Sequence, residues 1–218
     1  MKVLIGTTNP SKIPRFEGFL TGCDLEFYTL NDLNITGEPE EVGRTPIENA
    51  EIKARYYGQF FDRVICNDSG LYFDCLPLDD SRQPGLNIRT PQGRARMTDE
   101  EAIQYYSSLV HELGGKVLAY YMDGIAVYNR GEVYTFMETG ESNRASAFYM
   151  VETPSPKRQK GWPLNSLSIN RNTNDYFVDG GNNKYDPVRE DIMIGSYRQR
   201  VIEFLKEFFI FNSLLISH

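Results

Sequence analysis

A capped helix that runs straight into a β-branched stretch constrains this chain more than any other segment. Thr45-Pro46-Ile47-Glu48 matches a capping box with proline at the first helical position. Ala50, Ala54, Tyr57 and Phe61 then form an apolar stripe at helical spacing. Arg63-Val64-Ile65-Cys66 reads as a buried strand, ended by Asn67-Asp68-Ser69-Gly70 with Gly70 as the residue that lets the backbone turn. This brings a carboxylate and a hydroxyl to the carboxyl end of a strand, where open α/β sheets hold ligands.

The rest of the chain extends that pattern. Lys2 to Gly6 reads as a strand, Thr7 to Ser11 as a polar loop, and the next segment as a helix with Pro14 in its first turn and Ile13, Phe16, Phe19 and Leu20 on one face. Leu25 to Leu30 and Leu71 to Leu76 are further strand candidates. Thr98-Asp99-Glu100-Glu101 is a second capping box, and its helix stops at Gly114-Gly115. Val117 to Tyr128 and Glu132 to Glu138 read as strands joined at Asn129-Arg130-Gly131, Arg144 to Val151 as another, and Ser196 to Phe209 as a last helix. Strand–helix units come first, an antiparallel region follows, and a helix closes the chain. The order predicts a mixed-sheet α/β protein, one domain over residues 1–218, with a smaller antiparallel lobe near 115–155.

Composition narrows the function classes. A net charge of −7 argues against wrapping a nucleic acid polymer. Cys23, Cys66 and Cys75 show no CxxC spacing and read as reduced, buried thiols rather than a zinc site. With only His111 and His218 present, a histidine metal cage or a Ser-His-Asp triad is not expected. No apolar run approaches the ~20 residues that a membrane span requires, and Met1-Lys2 leads directly into a strand, so a cytoplasmic protein without a leader is expected. The apolar tail Phe208-Phe209-Ile210-Phe211 reads as core or as a subunit contact.

Four polar clusters stand at element edges. Thr7-Thr8-Asn9-Pro10-Ser11-Lys12 links a strand to a helix, a place where loop N–H groups and a lysine favour anions. It lacks P-loop glycines, and a plain capping turn with a solvated lysine competes with the anion reading. Glu38, Glu40, Glu41, Glu48 and Glu51 form an acidic group. Most read as solvated charge, but Glu41 together with Asp68 would suit a hard cation that shares phosphate and water ligands. Asn49 and Lys53 lie one helical turn apart on a face offset from the apolar stripe, from which Lys53 would reach an oxyanion. Asp68 is the candidate base and Ser69 a phosphate donor; the competing reading of Asp68 is an Asx turn.

These clusters, in this order, resemble the inosine triphosphate pyrophosphatase family. That family opens with a strand and Thr-Gly-Asn-x-x-Lys, here Thr7-Thr8-Asn9-Pro10-Ser11-Lys12. Its Glu-x-Gly-x-Thr-x-x-Glu-Asn-Ala-x-x-Lys-Ala-Arg is matched at every fixed position from Glu41 to Arg55. Asp-Ser-Gly-Leu follows at Asp68 to Leu71, and Pro-Gly-x-x-x-Arg at Pro84 to Arg89. Downstream the chain departs from the pattern. Gly161-Trp162-Pro163-Leu164-Asn165-Ser166 carries Asn165 where the family has Asp, Ser196-Tyr197-Arg198 carries Tyr197 where it has His, and Ile192 stands where a Lys precedes, with Lys184 or Arg189 as substitutes.

The resemblance implies a long mixed central sheet with flanking helices, forming two lobes around a nucleotide cleft, in a homodimer. It implies Mg2+-dependent hydrolysis, with Mn2+ as the alternative ion, of a nucleoside triphosphate to monophosphate and pyrophosphate, the substrates being deaminated purine nucleotides. Glu41 and Asp68 would hold the metal, and Asp68 would activate water. Thr7, Thr8, Asn9, Lys12, Asn49, Lys53 and Ser69 would hold phosphates or sugar. Trp162 would stack on the base, with Asn165, Tyr197 and Arg198 reading its edge. Asn165, an amide with both donor and acceptor, implies relaxed base preference. A same-fold enzyme for another modified nucleotide and a catalytically silent nucleotide-binding protein remain alternatives.

Overall fold

The computed structural model describes residues 1–137, 144, 146–181 and 199–211. Tyr197 and Arg198, and the stretch holding Lys184, Arg189 and Ile192, lie outside the described residues. The strands are β1 (Lys2–Ile5), β2 (Glu26–Thr29), β3 (Arg63–Phe73), β4 (Lys116–Asn129), β5 (Glu132–Met137), β6 (Phe148–Val151) and β7 (Ser168–Ile169). The helices are α1 (Ile13–Phe19), α2 (Pro46–Tyr57), α3 (Asp99–Glu112) and α4 (residues 199–206), which passes into a π-helical turn at Glu207–Phe211. The strands form one mixed sheet in the order β2-β1-β3-β4-β6-β7, with β5 on β4. Among the described residues no helix is long and apolar enough to cross a membrane.

Two compact units divide the chain. Met1–Ser69, Asp123–Glu138 and Gly195–His218 make the first; Gly70–Met122 and Thr139–Ile194 make the second. The stretch 115–155 is therefore shared between them. In the first unit β1 pairs in parallel with β2 (Leu4 opposite Tyr28) and with β3 (Leu4 opposite Val64), and β5 folds back antiparallel on residues 124–129 of β4. Strand alternation sends side chains to two faces. Leu4, Val64, Cys66 and Ala126 meet Ala50, Ala54 and Tyr57 of α2. Val3, Ile5, Ile65, Ile125 and Val127 meet Phe16 and Leu20, and also Val201, Leu205, Phe208 and Phe209. Phe208 and Phe209 of the apolar tail are thus core residues. In the second unit β6 pairs antiparallel with residues 116–119 of β4, and α3 lays Ala102, Ile103, Tyr106 and Val110 against Phe73, Ala119 and Met150.

Several local expectations need correction. The segments around Cys66 and Leu71 form one strand, β3, so Asp68 sits in mid-strand and not at a carboxyl end. Gly70 makes no turn. A Cβ there would lie 2.7 Å from the Tyr72 ring and 3.0 Å from the Gly85 carbonyl oxygen, so the glycine answers a close backbone approach. The capping box of α2 is half formed: Thr45 Oγ1 accepts from Glu48 N at 3.3 Å, but the Glu48 carboxylate accepts from Arg44 N at 2.6 Å instead of Thr45 N. The α3 box is reciprocal, through Thr98 and Glu101. Arg130 (φ 49°) and Gly131 (φ 105°) make the left-handed two-residue turn between β4 and β5. Of the strand expected from Arg144, only Phe148–Val151 is one; β7 was not expected, since two residues carry no readable alternation. Cys66 is buried, Cys23 partly buried and Cys75 exposed, so the expectation of buried thiols holds in full for Cys66 alone.

Helix α2 lies hard against β4. A Cβ on Gly124 would fall 2.3 Å from Ile47 N and 2.5 Å from Ile47 Cα, both backbone atoms at the start of the helix. Gly124→Ala is expected to push that end of α2 off the strand. An overpacking cost of about 1–3 kcal/mol, at roughly 2–4 °C per kcal/mol for a chain of this size, should appear as a lower melting temperature in a calorimetric scan.

Candidate functional site

The first unit gathers the polar residues that matter at the junction of α2 and β3. Asp68 lies two residues beyond Cys66 on the strand and so faces the same side, toward α2. The helix answers with two side chains one turn apart. Asn49 Nδ2 donates to Asp68 Oδ2 at 3.0 Å, and Lys53 Nζ to Asp68 Oδ1 at 3.2 Å. Lys53 Nζ also lies 2.9 Å from Glu41 Oε1. One ammonium thus bridges two carboxylates supplied by distant stretches of chain.

The loop bearing Glu41 is fixed to the same helix. Gly43 N donates to Asn49 Oδ1 at 2.8 Å, which leaves the Asn49 side chain with a partner at each end. A Cβ on Gly43 would stand 2.4 Å from that oxygen, so only glycine allows the loop so near. Asn49 is 2% exposed, the Lys53 and Asp68 side chains 15% and 14%, and Glu41 44%, so the network runs from core to solvent. Of the other acidic residues, Glu48 caps, Glu51 pairs with Arg55 on the surface, Glu40 is exposed, and Glu38, exposed as well, lines the pocket beside this network.

Beside this network is a pocket of about 80 Å3 lined in part by Thr7, Asn9, Lys12, Glu41, Lys53 and Tyr57. Thr7 Oγ1 accepts from Asn9 N at 3.1 Å, which curls the loop between β1 and α1; Thr8 and Asn9 are exposed on it. The two lysines differ. Burial and the nearby Lys53 charge push the Lys12 ammonium below its ordinary value, only partly opposed by Asp68 and Asp123, and it makes no ion pair among the described residues. Burial also pulls on Lys53, but Asp68 and Glu41 outweigh it and hold that ammonium above its usual value. Lys53 is committed to carboxylates, whereas Lys12 is a half-buried cation in want of an anion. Burial drives the Cys66 thiol far up, so it is no nucleophile.

The donor set has a definite chemical preference. Two carboxylates converge, and among the described residues no group of three His, Cys, Asp or Glu stands ready for a metal. Such a pair suits a hard ion that takes its remaining ligands from phosphate and water, the habit of Mg2+, and does not suit a caged metal.

The remaining predicted site residues lie elsewhere. Ser69 is partly buried next to Asp68, and strand alternation turns it to the opposite face. Trp162 and Asn165 belong to the second unit. Trp162 is 48% exposed, and Asn165 Nδ2 donates to Gln159 Oε1 at 2.8 Å. Arg89 is engaged in that unit with Asp99 at 2.7 Å and the Gly161 carbonyl at 3.2 Å. Asn67 has no assigned role in the sequence reading, yet it is 1% exposed and neither amide atom has a hydrogen-bond partner among the described residues. Its signal is an amide placed directly after a β-branched run.

A two-faced mixed sheet with a lysine-bridged carboxylate pair on one face defines the class of molecule. The Ham1 family model matches residues 3–143, and this chain belongs to the Ham1 family. The HAM1 protein from Coxiella burnetii shares the fold with a TM-score of 0.67 at 19% identity, over 95% of this chain and 99% of that one. The Ham1 protein of Staphylococcus aureus aligns with a TM-score of 0.64 at 18% identity, over 94% and 98%. Among curated relatives, the dITP/XTP pyrophosphatase of Thermoanaerobacter pseudethanolicus is 40% identical over 87 residues, which is 39% of this chain and 42% of the relative. The protein of the same name from an Exiguobacterium species is 40% identical over 77 residues, 35% and 39% of the two chains. The match therefore spans less than half the length of these relatives.

Asn49 is the joint between loop, helix and strand. Asn49→Ala removes the partners of Gly43 N and Asp68 Oδ2 together. An orphaned, partly buried polar group costs about 1–3 kcal/mol. The urea midpoint should fall accordingly with an unchanged slope, measured by equilibrium unfolding.

Proposed function

We propose that this protein is a nucleoside triphosphate pyrophosphatase that uses Mg2+ and acts on deaminated purine nucleotides. One observation carries the reading: Glu41 and Asp68 converge on a single cation beside Lys12, an ammonium with no ion-pair partner among the described residues. Membership of the Ham1 family supports it, as do the names of the partial-length relatives.

The chemistry follows from the charges. A triphosphate brings about four negative charges to a protein that is itself acidic, so the offset must be local. Lys12 and the hydroxyls of Thr7 and Thr8 would receive phosphate oxygens, because the Thr7 and Asn9 N–H groups are already given to the Ile5 carbonyl and to Thr7 Oγ1. Mg2+ held by Glu41 and Asp68 would neutralise phosphate charge and make an attacking water more acidic. Asp68 accepts that water's proton while Asn49 fixes the angle of its carboxylate. The water oxygen bonds to the α-phosphorus as the bond from that phosphorus to the bridging oxygen breaks, and pyrophosphate leaves with the bonding electrons. Base recognition rests on the family resemblance and on the second unit's own geometry. Trp162 offers an exposed ring face, and Asn165, with its Nδ2 given to Gln159, offers a carbonyl acceptor. The amide in place of a carboxylate favours a broad base preference.

A panel of nucleoside triphosphates assayed with Mg2+ for monophosphate and pyrophosphate tests this reading. Release of pyrophosphate is expected with deaminated purines among the substrates, and release of orthophosphate alone would reject it. Asp68→Asn should lower kcat by at least about 100-fold, the scale of a lost general base; an unchanged rate would remove Asp68 from the mechanism.

Lys12, without an ion pair among the described residues, gives a pH signature. It must be protonated to hold phosphate, and its surroundings depress its affinity for that proton. Nucleotide affinity should therefore fall as pH rises through a value below that of an ordinary lysine. Lys12→Arg, which stays charged throughout, should move that alkaline limb upward in a Kd-against-pH series.

A further inference from the structure

Lys53 stands where a shared metal ion would need to be. Its Nζ is 2.9 Å from Glu41 Oε1 and 3.2 Å from Asp68 Oδ1, so it engages one oxygen of each carboxylate assigned above to Mg2+, while Asp68 Oδ2 accepts from Asn49. An ion that binds oxygen at ~2.0–2.1 Å and an ammonium cannot both occupy the space between these two oxygens. The ammonium also has a second place to go, because Lys53 lines the pocket of about 80 Å3 together with Lys12, Thr7 and Asn9, where Glu38 and Glu41 set carboxylates against the two lysines. An anion in that pocket would attract both lysines and relieve their mutual repulsion.

We propose that Lys53 is a displaceable counter-cation. In the nucleotide-free protein it holds Glu41 and Asp68 together and suppresses their affinity for free divalent metal. A polyphosphate draws the ammonium into the pocket, and the two carboxylates pass to the metal that arrives with the nucleotide. Lys53 is then a positioning residue that makes metal entry conditional on substrate, and by linkage metal and polyphosphate each strengthen the other's binding. The inference rests on the functional reading above, since it takes Glu41 and Asp68 as the metal pair.

The test is Mn2+ binding to nucleotide-free protein, read as free Mn2+ by electron paramagnetic resonance. Lys53→Gln should bind Mn2+ at least tenfold more tightly than wild type, and Lys53→Arg no more tightly. Adding Glu41→Gln to Lys53→Gln should abolish the gain. If Lys53→Gln binds no tighter, the exchange is wrong. The metal assignment still stands if Glu41→Gln and Asp68→Asn each weaken Mn2+ binding in the presence of inorganic tripolyphosphate. If neither variant matters there, the metal assignment fails and the exchange falls with it. Should Lys53→Gln not fold, wild-type protein decides: inorganic tripolyphosphate alone should shift the Lys53 13Cε resonance, and an unmoved resonance overturns the proposal.

Discussion

The attraction between one ammonium and two carboxylates organises the first unit's polar face. Two acidic groups close together inside a half-buried site repel each other and resist desolvation unless a cation lies between them. Lys53 supplies it, and the neighbouring structure keeps it in range. The α2 spacing sets Asn49 and Lys53 one turn apart, Asn49 ties the Glu41 loop to β3, and the bare Gly124 lets the helix start seat on β4. Glu41, the most exposed member, is the one that water screens most, so the tighter half of the bridge is expected at Asp68.

Much of this is legible in the sequence, for reasons that differ by element. The start of α2 was readable because Thr45, Pro46 and Glu48 are local signals, each satisfying backbone groups within one turn. β1 and the first part of β3 are readable as buried strands because apolar, β-branched runs dominate them. The error at Gly70 shows the limit of such reading. A glycine after Asp and Ser reads as a turn, but its cause is the Gly85 backbone passing close by, a tertiary contact with no local signature. The same limit hid the true partner of Glu48, which lies one residue upstream of the expected one.

The site divided in the same way. The chemistry of the residues pairs Glu41 with Asp68, spacing places Asn49 and Lys53 on a common face, and the family resemblance joins them into one site. Spacing could not say that Lys53 would bridge both acids, because that depends on the Glu41 loop folding back over α2. Nor could it mark Asn67, whose lack of partners is a property of the packed interior and invisible in composition.

The first unit is assembled from three separated stretches of chain, and its inner face needs Val201, Leu205, Phe208 and Phe209 beside Val3 and Ile5. During synthesis β1 emerges long before α4, with Phe16 and Leu20 covering only part of its apolar side until residues 199–209 follow. The second unit has all its pieces earlier. A newborn molecule thus carries a partly covered apolar surface on β1 and β3, the kind of exposure that invites chaperones.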